Sequence, residues 1–497
     1  MIIALFSLVG VVLFPFLYWY YVVYVKFRSF RALPGPKPIP IIGSKIANDS
    51  VGILVDMQNL YERYKPTFVI YTGPQVRVVH SKPEHIHYIV TSNAHTTKSD
   101  NFDVLKGWIG EGLATSKGDK WRERRKMINQ SFNMNLMERF MQVFNSASDA
   151  LVKNLEKESG KDCTDILNYT NFSALEIACE NLMGIKLKPE ENAAEEEYIE
   201  KTKVMLRIVG VRFFSFWQRF ETIFLMFSKH SKIYLDYVGT LKKFTLDVIE
   251  RRSKTFKEER KEVGTENDFG IKKKAALMDI LLEESERGTL TYEDIREEID
   301  TFMVAGHETS AGILSFALFE LARQPEAQQT LYEEIMAIAP EGDISMDQLN
   351  DMQYLECAVK EALRMYPQVP FMERQIIEEF ELDGIKYPIG TVFSIPIINM
   401  QNDPDLFPDP GTYDPSRFLP ENADKIPKYN YLPFSAGPRI CIGYKYAMYS
   451  AKCSLAKVIR EYEVLPVPGF NVQLEFQITL KSVTGINIRL KKRKHQR

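Results

Sequence analysis

The stretch Phe434–Gly443 has the sequence FSAGPRICIG, in which glycine, arginine and cysteine follow one another at close spacing. Gly437 and Gly443 allow a tight backbone turn and a close approach to a flat ligand. Arg439 supplies a cation that suits a carboxylate. Cys441 lies just before a predicted helix, whose first N–H groups stabilise a thiolate. A lone cysteine among apolar neighbours is more often a small core residue, so the thiol alone leaves both interpretations open.

A second motif, AGHETS at Ala305–Ser310, lies inside a long predicted helix. Gly306 costs about 1 kcal/mol relative to alanine in a helix interior, which indicates that something approaches the backbone there. Glu308 and Thr309 place a carboxyl and a hydroxyl group beside this gap. The alternative is a threonine that bonds the carbonyl group four residues earlier and a glutamate on a solvated face.

The long helix has clear boundaries in the sequence. Thr291 and Asp294 form a start signal, and Gln324-Pro325 ends the helix. Helical patterns also fill most of 119–250. The charge-dense segment Arg251–Lys274 has little apolar content and is predicted to be a solvated loop.

Strands occupy little of the sequence. Short β-branched runs predict one hairpin that turns at Gly73-Pro74 and a second that turns at Asp383-Gly384. A segment rich in proline, aspartate and asparagine, 402–431, separates the second hairpin from the cysteine stretch. The predicted body is therefore mainly α with small β-sheets.

Two further patterns combine charged and aromatic residues. Glu361 and Arg364 are three positions apart on a predicted helix, a spacing at which ion pairs form. Arg417 lies downstream in DPSRF, and Trp121 and Arg125 lie in WRERR. The planar guanidinium group bonds both oxygens of a carboxylate, although each arginine is also consistent with a surface cation.

Taken together, these motifs resemble those of the cytochromes P450. FSAGPRICIG matches every fixed position of the haem-binding loop F-x-x-G-x-R-x-C-x-G, and AGHETS is similar to A-G-x-[DE]-T-[ST] at the dioxygen site. E-x-x-R and W-x-x-x-R also match. The resemblance extends from the proline-rich segment to the last helix. It implies the cytochrome P450 fold, α+β with small sheets, and haem-thiolate monooxygenase activity.

The resemblance also implies a role for each motif. Cys441 is expected to be the axial ligand of the haem iron, with Thr309 bonding dioxygen and Glu308 relaying protons. The implied structural triad consists of Glu361, Arg364 and Arg417. The other residues expected to contact the cofactor are Trp121, Arg125, Ala305, Gly306, Arg374, Phe434, Gly437, Arg439 and Gly443.

The expected cofactor is haem b, iron protoporphyrin IX. In some relatives a glutamate before the Gly-His pair forms an ester with the haem. This chain has Ala305 there, which has no acidic group. We therefore expect haem to be held without a covalent bond other than that between Cys441 and iron.

Composition excludes several classes of protein. The net charge of −3 gives no argument for nucleic acid as a partner. The five cysteines include no C-x-x-C pair, which argues against a disulfide framework and a zinc ribbon.

The N-terminal run from Ile2 to Val25 has no charged residue. As a helix it would span roughly 36 Å, enough to cross a bilayer. Lys26, Arg28 and Arg31 follow, so we expect a single-pass anchor in the endoplasmic reticulum membrane with the catalytic domain in the cytosol. The predicted organisation is an anchor at 1–25, a basic and proline-rich linker at 26–43, a cytochrome P450 domain at 44–490 and a basic tail at 491–497.

The sequence contains no Walker loop and no G-x-G-x-x-G motif after a predicted strand, so electrons are expected from another protein. The resemblance implies an NADPH–cytochrome P450 reductase, with cytochrome b5 as a second donor. A basic face would attract an acidic reductase, although a mixed surface is the alternative. The residues of this predicted face are Lys117, Lys120, Arg122, Arg124, Lys126 and Lys445.

Seven aromatic side chains lie within Val211–Phe227. They are Phe213, Phe214, Phe216, Trp217, Phe220, Phe224 and Phe227. In the family this region roofs the pocket and faces the membrane, which implies an apolar substrate; the alternative is an ordinary core helix. The cysteine stretch resembles that of the animal fourth-family clan, including insect members, whose substrates are fatty acids, hormones or xenobiotics.

Two other functions are consistent with the same resemblance. A haem-thiolate isomerase or dehydratase would need no proton relay, and the intact Glu308-Thr309 pair argues against it. A non-catalytic haem or lipid carrier would need no dioxygen motif.

The predicted topology is tested by four N-x-[ST] sequences, which begin at Asn48, Asn129, Asn168 and Asn171. If everything after Val25 is cytosolic, none of them meets the lumenal glycosylation machinery. We expect protein from microsomes to show no change in mobility after endoglycosidase treatment. A shift would contradict the orientation.

Overall fold

The computed structural model describes residues 13–187, 192–263 and 276–494. Within these ranges the chain is mainly helical and has four small β-sheets, which confirms the predicted fold class. The first half of the predicted anchor and the last three residues of the predicted tail lie outside the described residues.

After the N-terminal segment, α-helices occur throughout the described sequence. In chain order they are α1 (Ser50–Tyr64), α2 (Pro83–Thr91), α3 (Lys106–Ile109), α4 (Gly118–Ile128), α5 (Met134–Leu155), α6 (Ile166–Met183), α7 (Asn192–Phe214), α8 (Glu221–Phe227), α9 (Ser231–Val263), α10 (Leu277–Glu286), α11 (Tyr292–Arg323), α12 (Pro325–Ile338), α13 (Met346–Asp351), α14 (Gln353–Met365), α15 (Ile397–Gln401), α16 (Pro420–Ala423) and α17 (Tyr444–Glu461).

Helix α11 is the long helix predicted around AGHETS. Its N-cap Thr291 accepts a hydrogen bond from the backbone N–H of Asp294 at 3.1 Å, and the Asp294 carboxylate accepts one from the Thr291 N–H at 2.9 Å. This capping box satisfies two N–H groups that the helix leaves unpaired. Among the described residues α11 alone is long and apolar enough to span a membrane, but most of its apolar stretch is buried inside the domain. It is therefore the core helix of the body.

The largest sheet contains four strands, in the order β1 (Thr67–Thr72), β2 (Gln75–His80), β7 (Val392–Ile395) and β4 (Met372–Gln375). Strands β1 and β2 form the predicted hairpin, with Thr67 opposite His80 and Thr72 opposite Gln75. Strand β7 runs parallel to β2 and antiparallel to β4.

The other sheets are smaller. The second predicted hairpin is present as β5 (Phe380–Leu382) and β6 (Ile385–Tyr387). Strand β3 (Thr164–Asp165) pairs with β11 (Asn487–Lys492), which pairs with β8 (Tyr462–Pro466). The last hairpin consists of β9 (Leu474–Gln477) and β10 (Thr479–Ser482).

The described part of the predicted anchor packs against the domain. Residues 13–20 are helical, and a π-helical turn follows at Tyr21–Lys26. Trp19, Val22 and Val23 are buried in an apolar cluster with the four-stranded sheet, whereas several other apolar residues of this segment are exposed. One face of the segment thus belongs to the core of the domain.

The prediction of a loop at Arg251–Lys274 is wrong for its described part, because α9 continues to Val263. Charged side chains stabilise this helix through ion pairs. Lys254 pairs with Glu250 one turn earlier at 2.8 Å, and Arg252 reaches Asp279 of α10 at 2.6 Å. A low apolar content was therefore a misleading signal.

The capping box makes a prediction for stability. Thr291→Ala removes the side-chain acceptor from the first turn of α11, which should lower the free energy of unfolding by about 0.5–2 kcal/mol. Thermal unfolding followed by circular dichroism would measure this change. Thr289→Ala, at an exposed position two residues earlier, is the control and should leave the midpoint unchanged. Equal midpoints for both variants would contradict the role of the cap.

Candidate active site

The cysteine stretch forms a tight loop against α2. A short 3₁₀ turn spans Gly437–Arg439, and the Cys441 N–H donates to the Phe434 carbonyl at 2.9 Å. Gly437 has φ +67°, and a Cβ there would lie 1.9 Å from the carbonyl oxygen of Val90. Only glycine fits this position, because both the backbone conformation and the contact with α2 exclude a side chain.

The Cys441 thiol is surrounded by protein yet remains accessible, so it faces an interior space. Burial raises its pKa, and the Gly443 N–H, Arg125 and Lys98 oppose this rise. Helix α17 begins three residues later, at Tyr444. Of the other cysteines, Cys163 is on the surface and the remaining three are buried.

Helix α11 also faces an interior space at AGHETS. Ala305 is exposed, and Gly306 and Thr309 are partly exposed, although most of the helix is buried. The aromatic ring of Phe132 connects this helix to the cysteine loop. It stacks on Phe302 of α11 at 5.8 Å and lies 3.7 Å from the position of a Cβ at Gly443.

The space beside Gly306 is on the side of α6. A Cβ at this position would make ordinary contacts with Ala178 at 3.7 Å and Leu182 at 3.8 Å. The packing against α6 therefore does not require glycine at position 306. Ala305 and Thr309 are the accessible side chains of the motif. Gly443, with φ −94°, is likewise not in a conformation that requires glycine.

The two polar residues of the motif differ in their surroundings. The Thr309 hydroxyl donates to the Ala305 carbonyl at 2.7 Å, as the structural alternative anticipated. Glu308 is not on a solvated face, because it is buried and forms an ion pair with Lys481 of β10. His307 Nε2 lies 3.4 Å from the same carboxylate. Burial raises the pKa of Glu308, but Lys481 and His307 outweigh this effect and lower it to about 2.

Four cations surround the cysteine side of the site: Lys98, Arg125, Arg374 and Arg439. None of them forms an ion pair with a carboxylate among the described residues. Burial and the neighbouring cations Arg374 and Arg125 lower the pKa of Arg439 to about 9, and burial lowers that of Arg374 to about 10. A concentration of buried positive charge of this kind calls for an anion.

Arg439 is held rigidly within this cluster. Its guanidinium carbon lies 3.9 Å from the ring centroid of Trp121. It donates to the carbonyl groups of Thr96 at 2.9 Å and Ser116 at 2.8 Å. Arg374 has weaker contacts, the closest being the carbonyl group of Glu373 at 3.1 Å. The structure thus brings Trp121 and the predicted arginines together.

Lys98 is a member of the cluster that sequence reasoning missed. It lies above the Phe102 ring, 4.9 Å from the centroid, and belongs to no recognised motif. Burial, with Arg439 and Arg374, lowers its pKa to about 7. No local signal could have identified it, because its neighbours in the cluster are distant in sequence.

The predicted triad is assembled and buried. Arg364 contacts both carboxylate oxygens of Glu361 at 2.8 Å, and Arg417 Nε lies 3.3 Å from the same group. Arg364 also donates to the carbonyl groups of Gln401 at 3.0 Å and Pro410 at 2.8 Å. These contacts connect α14 to the segment that precedes the cysteine loop.

The residues present fit a haem group. Cys441 offers a soft ligand to iron at an accessible interior position, and a haem carries two propionates that would neutralise part of the cation cluster. Ala305 and Thr309 supply an accessible face on α11.

Comparison with known proteins identifies the family to which the chain belongs. A family model described as Cytochrome P450 matches residues 33–486. The chain belongs to the cytochrome P450 family. As a cytochrome P450 it is a monooxygenase, an oxidoreductase whose family uses a haem iron held by a cysteine thiolate.

Several fruit-fly proteins are similar over most of their length. Probable cytochrome P450 4s3 of Drosophila melanogaster is 34% identical over 472 residues, which cover 93% of this chain and 92% of that protein. Cytochrome P450 4d8 of the same species is 35% identical over 420 residues, with coverages of 82% and 90%. Cytochrome P450 4e5, mitochondrial, of Drosophila mettleri is 32% identical over 436 residues, with coverages of 86% and 83%. These matches confirm the resemblance to the fourth-family clan.

The lowered pKa of Lys98 predicts how the stability of haem-free protein depends on pH. Its ordinary pKa is 10.5, and the folded value is about 7. Between these values the unfolded chain binds a proton that the folded chain has released, so the free energy of unfolding should rise as pH increases through this range. Lys98→Met should remove this contribution in urea unfolding of haem-free protein.

The exposed Lys425 provides a control for this measurement, and Lys425→Met should retain the dependence of the parent protein. A Lys98→Met variant with the same slope as the parent would show that Lys98 keeps an ordinary pKa.

Proposed function

We propose that this cytochrome P450 is a membrane-bound haem-thiolate monooxygenase that inserts one oxygen atom of O2 into an apolar substrate. Its electrons would come from an NADPH-dependent reductase. The observation that carries the proposal is the accessible Cys441 thiol beside four buried or partly buried cations that lack carboxylate partners among the described residues. Haem b, held without an ester, is the proposed cofactor.

Cys441 is the proposed iron ligand. When bound, the haem supplies the activation of dioxygen, which thiolate ligation favours. The Phe434 carbonyl and the helix that begins at Tyr444 fix the position of the sulfur atom. Arg125, Arg439 and Lys98 would bind the propionates, with Arg374 and the Trp121 ring adjacent to them.

Thr309 and Glu308 are the proposed proton carriers. The Thr309 hydroxyl lies on the accessible face of α11 and can exchange its bond to the Ala305 carbonyl for one to a ligand or water. Glu308, one position earlier, is a carboxylate in its ion pair with Lys481. Delivery of a proton by Glu308 therefore requires that this pair opens.

An apolar substrate is supported by a cluster of aromatic rings at the C-terminal end of α7. Phe213 and Phe214 pack edge-on against Phe476 of the β9–β10 hairpin, with centroids 5.7 and 5.4 Å away. Phe371 joins the cluster 5.4 Å from Phe476. All four rings are buried. Substrates of the clan, including fatty acids, hormones and xenobiotics, are chemically compatible with an apolar pocket that such rings would line.

Membrane association is supported by exposed apolar side chains. Helix α8 exposes Met226 and Phe227 to about 70%, and Phe220 just before it is half exposed. The N-terminal helical segment exposes Phe14 and Leu17. The basic residues that follow this segment favour the endoplasmic reticulum with the domain in the cytosol.

The proposed reductase contact rests on fewer cations than the sequence suggested. Lys117 pairs with Asp100 at 2.6 Å, Lys120 with Glu297 at 3.1 Å, and Arg124 with Asp294 at 2.5 Å. Arg122 pairs with the neighbouring Asp119. Lys126 and Lys445 are therefore the better candidates for attracting an acidic partner, a reductase or cytochrome b5.

Loss of the thiolate tests the proposal directly. Cys441→Ser should abolish the red-shifted Soret band of the ferrous–CO complex, because a serine hydroxyl does not replace a thiolate as the axial ligand. The exposed Cys163 provides a matched control, and Cys163→Ser should keep the band. Retention of the band in Cys441→Ser would assign the ligand to another residue.

The absence of a carboxyl group at Ala305 predicts that acidified organic solvent extracts the haem completely. Ala305 is exposed on α11, so Ala305→Glu places a carboxylate in the interior space and should retain a fraction of the haem covalently after turnover. Denaturing chromatography with detection of haem absorbance would measure the haem released from the parent protein and the haem retained by Ala305→Glu. Haem that stays with the unaltered polypeptide would contradict the proposal of haem held only by Cys441.

A further inference from the structure

The β9–β10 hairpin carries two opposite charges side by side. In its register Glu475 lies directly opposite Lys481, and Phe476 lies opposite Leu480. Directly opposed residues project from the same face of a sheet, with their Cβ atoms about 4.5–5.5 Å apart. Each charge nevertheless has a partner on a different helix.

Lys481 is directed to α11. Its ammonium group pairs with the Glu308 carboxylate and also donates to the Glu308 carbonyl at 3.2 Å. Both side chains are almost fully buried.

Glu475 is directed to α7 and α1. Arg207 donates to it through two nitrogen atoms, at 2.7 and 3.1 Å, and the Ser50 hydroxyl donates at 2.6 Å. Unlike the other three charged groups, Arg207 is 44% exposed. It can therefore leave its partner and be solvated, whereas buried Lys481 needs a carboxylate at all times.

The same hairpin contacts the proposed substrate region. Phe476 follows Glu475 and packs against Phe213 and Phe214 of α7. A substrate that enters between α7 and the hairpin would displace the helix that carries Arg207. Glu475 would then lose its cation while Lys481 lies directly opposite.

We propose that Lys481 exchanges its partner from Glu308 to Glu475 when Arg207 leaves Glu475, and that this exchange releases Glu308 for proton transfer. In this arrangement Lys481 is a positioning residue. The freed Glu308 takes up a proton supplied by bulk solvent and passes it to the Thr309 hydroxyl oxygen, which gives up its own proton towards the dioxygen site. Glu308 is then again a carboxylate and Thr309 again a neutral hydroxyl group. The inference rests on the proposed role of Glu308.

The electrostatics support this order of events. Burial raises the pKa of Glu308, and Lys481 with His307 holds it low. In the part of the chain that the structure describes, Tyr198 of α7 also faces Glu308, and its pKa is raised well above its ordinary value, so it stays neutral. When Lys481 moves away, His307 still lowers the pKa of Glu308, but it no longer acts together with Lys481 against the effect of burial. The Glu308 carboxylate should then take up a proton at a higher pH than it does in the ion pair.

The test uses infrared spectroscopy of the ferric holoenzyme as a function of pH. In Arg207→Gln the infrared band of a protonated carboxyl group should appear at a pH about one unit or more higher than in the parent. This shift corresponds to a tenfold change in proton affinity. The band should be absent from Arg207→Gln/Glu308→Gln, which assigns it. In Arg207→Gln/Glu475→Gln the band should again appear at the same pH as in the parent, because Glu308 is then the only one of the two carboxylates left to pair with Lys481.

Three further variants complete the design. Lys481→Met should show the shifted band whether or not Arg207 is present. Arg207→Lys retains a cation at Glu475 and should behave as the parent. Arg287→Gln removes another exposed arginine, which pairs with Glu284 at 2.6 Å, and should cause no shift.

The outcomes separate the exchange from the proposed function. A shift in Lys481→Met without one in Arg207→Gln would overturn the exchange, as would a shift that persists in Arg207→Gln/Glu475→Gln. A parental ferrous–CO band in these variants would show that the thiolate assignment stands in either case. If instead the shifts occur but Glu308→Gln leaves the coupling of NADPH use to product unchanged, Glu308 is not the proton donor and the proposed relay fails.

Discussion

Buried charge must be balanced, and this requirement shapes both sides of the active site. On the cysteine side, positive groups from four separate segments converge without carboxylate partners among the described residues, so a bound anion would balance part of this charge. On the α11 side, Glu308 is balanced from within the protein by Lys481. The cysteine side thus suits an anionic cofactor, whereas the carboxylate within the AGHETS motif has a cationic partner in the protein itself.

Local sequence predicted the features that depend on neighbouring residues. The capping box of α11 and the turn at Gly73-Pro74 each follow from contacts within a few positions, and the positive φ of Gly437 is likewise local, although its close contact with Val90 is not. The family motifs added Arg439 and the Glu361 triad, since their spacing is specific. These elements define the fold class and much of the cysteine side of the site.

Contacts between distant segments were not predictable in this way. Lys481 lies 173 positions after Glu308, in a hairpin whose register no local signal specifies. Lys98 likewise has no motif around it. The charged C-terminal part of α9 looked like a loop because its stabilising ion pairs, including that of Arg252 with Asp279, are visible only in three dimensions. The role of Gly306 beside a ligand stays a prediction, because a Cβ at this position would point towards α6 and make only ordinary contacts there.

The packing of the N-terminal segment against the domain has a consequence for the proposed membrane-bound state. Phe30 packs on Tyr387 with ring centroids 5.2 Å apart, and Phe27, Trp19 and Val23 belong to the same apolar cluster as the four-stranded sheet. In the proposed membrane-bound state, a segment packed in this way would hold the domain at a fixed tilt, and the length of the proline-rich linker would have little influence on that tilt. A chain that lacks residues 13–25 would lose Trp19, Val22 and Val23 from this cluster and expose the apolar side chains that pack on them.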